Sequence, residues 1–138
     1  MHVSIVLIRF EDLFWVHQRR DDKRVYPGLW GIGIGGKVEN GEFPLQAAVR
    51  ELQEESGLAT PIHEILTFHW DAPECRYTGH VFETWAPSLN ALIPCEREFA
   101  DFSWLNQLGI EQKRMSGQLC PDTAHFWNLF LTTDASSR

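Results

Sequence analysis

Glu51, Glu54 and Glu55 are spaced i, i+3 and i+4. On a helix those positions share one face, where like charges repel by about a few tenths of a kcal/mol per pair. Such a face is either solvated acid or a set of carboxylates held for a cation. Mg²⁺ suits the second case, because it takes hard oxygen ligands and keeps several of its waters. A cation gripped there removes the mutual repulsion. It can also bind a diphosphate, polarise its phosphoryl oxygens, acidify a bound water and stabilise a leaving phosphate.

The surrounding residues decide between the two cases. Gly35 and Gly36 precede the acidic stretch, and Glu42 and Arg50 stand at fixed distances from it. The order is Gly36, five residues, Glu42, seven residues, then Arg50-Glu51-Leu52-Gln53-Glu54-Glu55-Ser56-Gly57-Leu58. This resembles a complete Nudix box, GX5EX7REUXEEXGU, in which U is a bulky aliphatic residue. Seven fixed identities at roughly 6–7 % usage each would coincide on the order of once in 10⁸ start positions. Leu52 and Leu58 satisfy the aliphatic positions as well.

The resemblance implies roles by motif position. Glu54 and Glu55 would be the principal metal ligands, Glu51 a further ligand or a helper of the attacking water, and the Gly36 carbonyl part of a metal shell. Arg50 would orient a box carboxylate, with Glu42 as its expected partner. Glu42 and Gly57 would serve the architecture of the box. Mg²⁺ is the implied cofactor, and Mn²⁺ can take its place. Outside the box, Val16-His17-Gln18-Arg19-Arg20 is similar to a strand and arginine pair that many members carry. Tyr26-Pro27-Gly28-Leu29-Trp30 resembles the segment leading into the glycine loop near the isopentenyl-diphosphate isomerases. Glu98, six residues before Trp104, matches a carboxylate that binds metal or serves as base in many members. Pro73, fifteen residues after the box, stands where the ADP-ribose branch carries a proline, though a turn accounts for it better.

These groups need elements to position them. Pro44 to Ser56 is the clearest helix: proline suits the first turn, and Gly57 suits the left-handed residue after the last. Leu45, Ala48, Val49 and Leu52 recur at helical spacing, which predicts a packed face largely opposite the carboxylates. Phe43 stands where a capping Ser or Thr is expected, at a cost of about 1 kcal/mol. Val3–Phe10 and Leu13–Gln18 read as strands of a hairpin broken at Glu11-Asp12. Tyr26-Pro27-Gly28 is a turn signal, and Trp30–Ile34, alternating with glycine, is a short strand that lets another backbone approach. Ile62–Trp70 and Tyr77–Trp85 read as strands joined by a turn at Asp71-Ala72-Pro73. Phe102–Leu105 reads as a short strand and Pro121 to Leu131 as a C-terminal helix. Mixed elements without βαβ repetition predict one α+β domain over residues 1–138. The resemblance sharpens this to an α/β/α sandwich with a mixed sheet between helices.

Composition narrows the partners. Hydrophobic residues make up 43 % and charged residues 22 %, as in ordinary globular chains. Net charge is −7 with no long basic block, which disfavours a nucleic-acid polymer as partner. No stretch approaches the ~20 apolar residues of a membrane helix, and no signal-peptide pattern opens the chain. Cys75, Cys95 and Cys120 form neither a CxxC nor an even framework, so reduced thiols in the cytoplasm are expected. A homodimer is compatible with the sequence. The histidines show no HExxH or paired spacing and read as ordinary. Trp15, Trp70, Trp85, Trp104 and Trp127 read mostly as core or its edge. Arg19 and Arg20 are candidates for phosphate contacts, and Trp70 and Tyr77 for stacking on a base.

The expected function is therefore Mg²⁺-dependent hydrolysis of a phosphoanhydride in a nucleoside diphosphate linked to another moiety, or in a nucleoside di- or triphosphate. Two alternatives are sanitising of oxidised purine triphosphates and a non-catalytic nucleotide-sensing module, which would commonly have lost box glutamates. An isomerase is disfavoured, because Ile32-Gly33-Ile34-Gly35-Gly36 lacks the cysteine that chemistry uses.

Overall fold

The computed structural model describes residues 1–136. The chain runs β1 (His2–Phe10), β2 (Leu13–Arg19), β3 (Trp30–Ile32), β4 (Ile34–Lys37), α1 (Pro44–Ser56), β5 (His63–Asp71), β6 (Arg76–Trp85), β7 (Phe99–Leu105), α2 (Gln107–Met115) and α3 (Pro121–Ser136). The central strand order is β3-β2-β1-β6-β5, with β4 also on β1 and β7 also on β2. Among the described strands β1 and β6 pair in parallel, with Ile5 beside Val81 and Val6 beside Phe82, and the other strand pairs are antiparallel.

Alternation along β1 sends its side chains to two cores. Ile5 and Leu7 join Phe14, Val16, Ile110, Phe126, Trp127 and Phe130 on the side of α2 and α3. Val6 and Ile8 join Trp15, Ile34, Ala48, Leu52, Phe82 and Phe99 on the side of α1. Helices therefore cover both faces of a mixed sheet, which is the expected sandwich.

Several local expectations are corrected. The strand predicted over Trp30–Ile34 is two strands, because it changes partner at Gly33: β3 pairs β2, while β4 pairs β1. Gly33 takes φ +75°, and a Cβ there would run into the Val6 carbonyl, so only glycine allows the switch. On α1, Leu45 and Val49 are each 49 % exposed, while Ala47, Ala48, Leu52 and Glu55 are buried. The helix is thus rotated from its purely apolar face, and one carboxylate lies on the packed side. Phe43 caps α1 without a side-chain hydrogen bond, as expected, while its own N–H donates to Gln46 Oε1 at 2.7 Å.

β7 begins at Phe99, three residues earlier than expected, and α3 runs past Leu131. Trp85 is 45 % exposed, with the Arg9 guanidinium 4.5 Å from its ring centroid. Helix α2 was not anticipated. Its signals are local: Asn106 Oδ1 accepts from the Gly109 N–H at 2.9 Å, and Lys113 and Arg114 occupy the last turn. Its single buried residue, Ile110, gives little apolar periodicity to detect.

Candidate active site

Arg50 organises the N-terminal side of the site. Its Nε and Nη2 donate to Glu42 Oε2 and Oε1 at 2.8 and 2.9 Å. This two-point contact is available to guanidinium but not to ammonium. Arg50 also donates to Glu51 Oε1 at 2.8 Å and to the Lys37 carbonyl at 3.2 Å. Glu42 accepts in addition from the Glu39 N–H at 2.9 Å. With the Arg50 contact as the first cause, the Glu42 carboxyl is pulled down to about 2. Glu54 meets Arg50 only at 3.4 Å and is 58 % exposed at the side chain.

Glu55 has the opposite environment. It is 6 % exposed, and its Oε1 has no hydrogen-bond partner. Burial raises its pKa far above the carboxylate range, reinforced by the negative charges of Glu51 and Glu98 and a hydrogen bond shared with Glu51. The Gly35 N–H opposes that shift. The strand facing the helix is what permits the crowding. A Cβ on Gly36 would overlap the Glu51 carboxylate.

Glu98 reaches this cluster from 43 residues further along the chain. The backbone before β7 is tied to the last turn of α1, with Cys95 N–H on the Glu55 carbonyl at 3.0 Å and Ile93 N–H on the Ser56 carbonyl at 2.9 Å. A turn bond from Glu98 N–H to the Cys95 carbonyl, 2.9 Å, then brings Glu98 round. Its carboxylate meets Lys23 Nζ at 3.2 Å.

Glu55, Glu98 and Gly36 line a cavity of about 340 Å³. Arg19, Lys23, His17, Tyr26, Tyr77, Cys75, Cys120 and Asp122 line it further. Of the residues singled out for substrate, Arg19 and Tyr77 are therefore in the wall, while Arg20 and Trp70 are not. Arg20 is drawn to Asp22 at 3.2 Å, and Trp70 donates to the Tyr26 hydroxyl at 3.3 Å. Tyr77 is not a free stacking surface either: its hydroxyl donates to Asp122 Oδ2 at 2.5 Å. Its pKa is raised, chiefly by burial and then by Asp122.

Sequence reasoning missed His17, Lys23 and Asp122. His17 donates its Nδ1–H to the Gly33 carbonyl at 2.6 Å, which leaves Nε2 as the acceptor. Burial lowers its pKa to about 4, so the ring is neutral. Only its place opposite glycine in the β2–β3 pair, His17 beside Gly31, could have flagged it.

Among the described residues, no three acidic, histidine or cysteine side chains stand in a closed ligating geometry. The donor set nevertheless fits a hard divalent cation. Glu51, Glu54, Glu55 and the Gly36 carbonyl supply oxygen only, and the unpartnered Glu55 Oε1 is a buried acceptor that a cation would satisfy.

The NUDIX domain model matches residues 1–117. The chain belongs to the NUDIX family. An uncharacterised Nudix hydrolase of Pseudomonas aeruginosa is 34 % identical over 118 residues, 84 % of this chain and 68 % of that protein. The nucleoside triphosphatase NudI of Escherichia coli is 31 % identical over 109 residues, 72 % of this chain and 77 % of its own length. The crystal structure of the MutT protein from Methanosarcina mazei superposes with a TM-score of 0.79 at 22 % identity, covering 99 % of this chain and 94 % of that one. The sandwich is thus the Nudix fold, and the chain is a Nudix hydrolase. No described helix is long and apolar enough to cross a membrane.

Proposed function

We propose that this Nudix hydrolase cleaves a phosphoanhydride bond, with Mg²⁺ or Mn²⁺, in a nucleoside di- or triphosphate or in a nucleoside diphosphate linked to another moiety. The observation that carries this reading is Glu55: a buried carboxyl with an unpartnered oxygen, beside Glu51 and Glu98, in the wall of a cavity of about 340 Å³. Burying such a group without a partner is costly, and a divalent cation turns the cost into a binding site. Bound there, the metal supplies Lewis acidity and an acidified water. Glu51, Glu54 and Glu55 are its proposed ligands, with the Gly36 carbonyl.

The chain's own groups do the rest. Arg50 fixes Glu42 and Glu51. Glu98, on a loop at the cavity, takes the proton from the attacking water, with Glu51 as the rival base. Arg19 meets phosphate. Tyr77 shapes the wall with Asp122. A likeness to a protein named nucleoside triphosphatase favours triphosphates within this range, and oxidised purine triphosphates are the second reading.

Turnover of a nucleotide panel with Mg²⁺ in ¹⁸O-labelled water tests the proposal. Label should enter a phosphate product by attack at phosphorus. Label only in an alcohol product would mean carbon–oxygen cleavage. Binding without turnover of any member would point to a sensor.

A further inference from the structure

We propose that Lys23 bridges Glu98 and the phosphate chain of the substrate, so that one ammonium both binds a phosphoryl oxygen and positions the carboxylate beside it. The proposal rests on the functional reading above. Three cationic side chains line the cavity, Arg19, Lys23 and Lys37. Arg19 is partly spent, its Nε donating to the Val25 carbonyl at 2.8 Å. Lys37 is exposed. Lys23 is half-buried, and its Nζ stands 3.4 and 3.2 Å from the two oxygens of Glu98.

Those separations exceed the roughly 2.7–2.9 Å of a tight charge-assisted bond. The pair is close enough to orient Glu98 and loose enough to admit a second acceptor. An ammonium has three donors, so holding Glu98 does not exhaust it. Lysine serves phosphate as a point charge and does not need planar geometry to do so. Its field extends into the cavity, where it is among the charges acting on His17.

The backbone carrying Lys23 is braced at several points. Gly28 N–H donates to the Arg19 carbonyl at 3.1 Å, and Gln18 Nε2 to the Gly28 carbonyl at 3.1 Å. Lys23 N–H closes a turn on the Arg20 carbonyl at 3.2 Å, and Trp70 holds the Tyr26 hydroxyl. The ammonium is therefore presented from a fixed base. It shares the cavity wall with the carboxylates Glu98 and Asp122, which would repel a phosphate chain.

Calorimetric binding of inorganic pyrophosphate in Mg²⁺ buffer tests this without turnover. Lys23→Met should weaken binding by about tenfold, the scale of one hydrogen bond to a charged group. Lys23→Arg should recover most of it. Arg24→Met is the control: it removes one charge from the same loop at an exposed residue outside the cavity wall and should bind as the wild type does. Thermal melts confirm that each variant folds. In turnover of the best nucleotide, Lys23→Met should raise KM and also lower kcat, because Glu98 loses its anchor. Pyrophosphate affinity unchanged in Lys23→Met, or reduced equally in Arg24→Met, overturns the proposal, as does a wild type that binds no pyrophosphate. Lys23-dependent binding in a protein that hydrolyses nothing would instead sink the functional reading and leave the bridge standing. Turnover in a protein indifferent to Lys23→Met would do the reverse.

Discussion

Gly36 on β4 and Glu51 on α1 compete for one place: the carboxylate of Glu51 occupies the space that a side chain at position 36 would need. Helix and strand can approach this closely only because the strand carries no Cβ there. Gly36→Ala should therefore push Glu51 off Arg50 and away from Glu55. Overpacking of this kind costs about 1–3 kcal/mol. We expect a lower Tm and a kcat reduced by roughly tenfold or more, the scale of about 1.4 kcal/mol in the barrier. A melt and a rate that both match the wild type would mean Glu51 is free to move.

Arg50→Lys should be poorly tolerated. Lysine keeps the charge but loses the paired bonds to Glu42 and the further bond to Glu51. Both Tm at neutral pH and kcat should fall. Glu42 adds a pH signature: its depressed pKa gives stability that is present above the usual carboxylate value and lost as pH falls toward about 2. The gap in Tm between wild type and variant should accordingly narrow on acidification. A constant gap down to pH 3 would show that the loss lies elsewhere.

Glu55→Gln makes opposite predictions for folding and catalysis. The raised pKa of Glu55 means that the folded, chelator-treated protein binds a proton which the unfolded chain releases above the ordinary carboxylate value. Stability then falls as pH rises through that window. In chelator the variant should melt higher than wild type at pH 8 and nearly the same at pH 4.5. Added Mg²⁺ should raise Tm in wild type only. With substrate, kcat should drop by at least about 10²-fold, as for loss of a Lewis-acid site, and Glu54→Gln should show a comparable loss. A variant that keeps Mg²⁺-dependent activity would remove that residue from the ligand set.

The base should be assigned by pH–rate profiles of Glu98→Gln and Glu51→Gln. Glu51 is held by Arg50 and shares a hydrogen bond with Glu55. Glu98 stands in the cavity wall, held by Lys23 at 3.2 Å. We expect the acidic limb to vanish in Glu98→Gln and to survive, at lower kcat, in Glu51→Gln. The converse pattern would give the role to Glu51.

The carboxylate helix, the glycines before it and the Arg50–Glu42 spacing were all legible in the sequence, because they lie within 23 residues whose geometry is set by helical periodicity and short loops. The strands β1, β2, β5 and β6 were legible for the same reason, because runs of β-branched, apolar and aromatic residues bounded by turn residues are written locally. Local information also misled. Leu45, Ala48, Val49 and Leu52 suggested a packed apolar face; Ala48 and Leu52 are buried as expected, but Leu45 and Val49 are half-exposed and Glu55 is buried beside them, where Gly36 leaves room for the helix's carboxylates.

Tertiary structure alone decided what the glutamates mean chemically. Spacing made Glu51, Glu54 and Glu55 equivalent; burial divides them into a buried, unpartnered Glu55, an Arg50-bound Glu51 and an exposed Glu54. The meeting of Glu98 with Glu55 depends on backbone bonds from residues 93 and 95 to the end of α1, and no local pattern encodes them. The wall formed by His17, Lys23, Tyr77 and Asp122 arises where β2, the loop after it, β6 and α3 converge. The sequence by itself determined the family and the helix that carries the acids. Which acid is buried, and which cation faces it, follows from desolvation and from contacts between residues far apart in the chain, and those exist only once the sheet has closed.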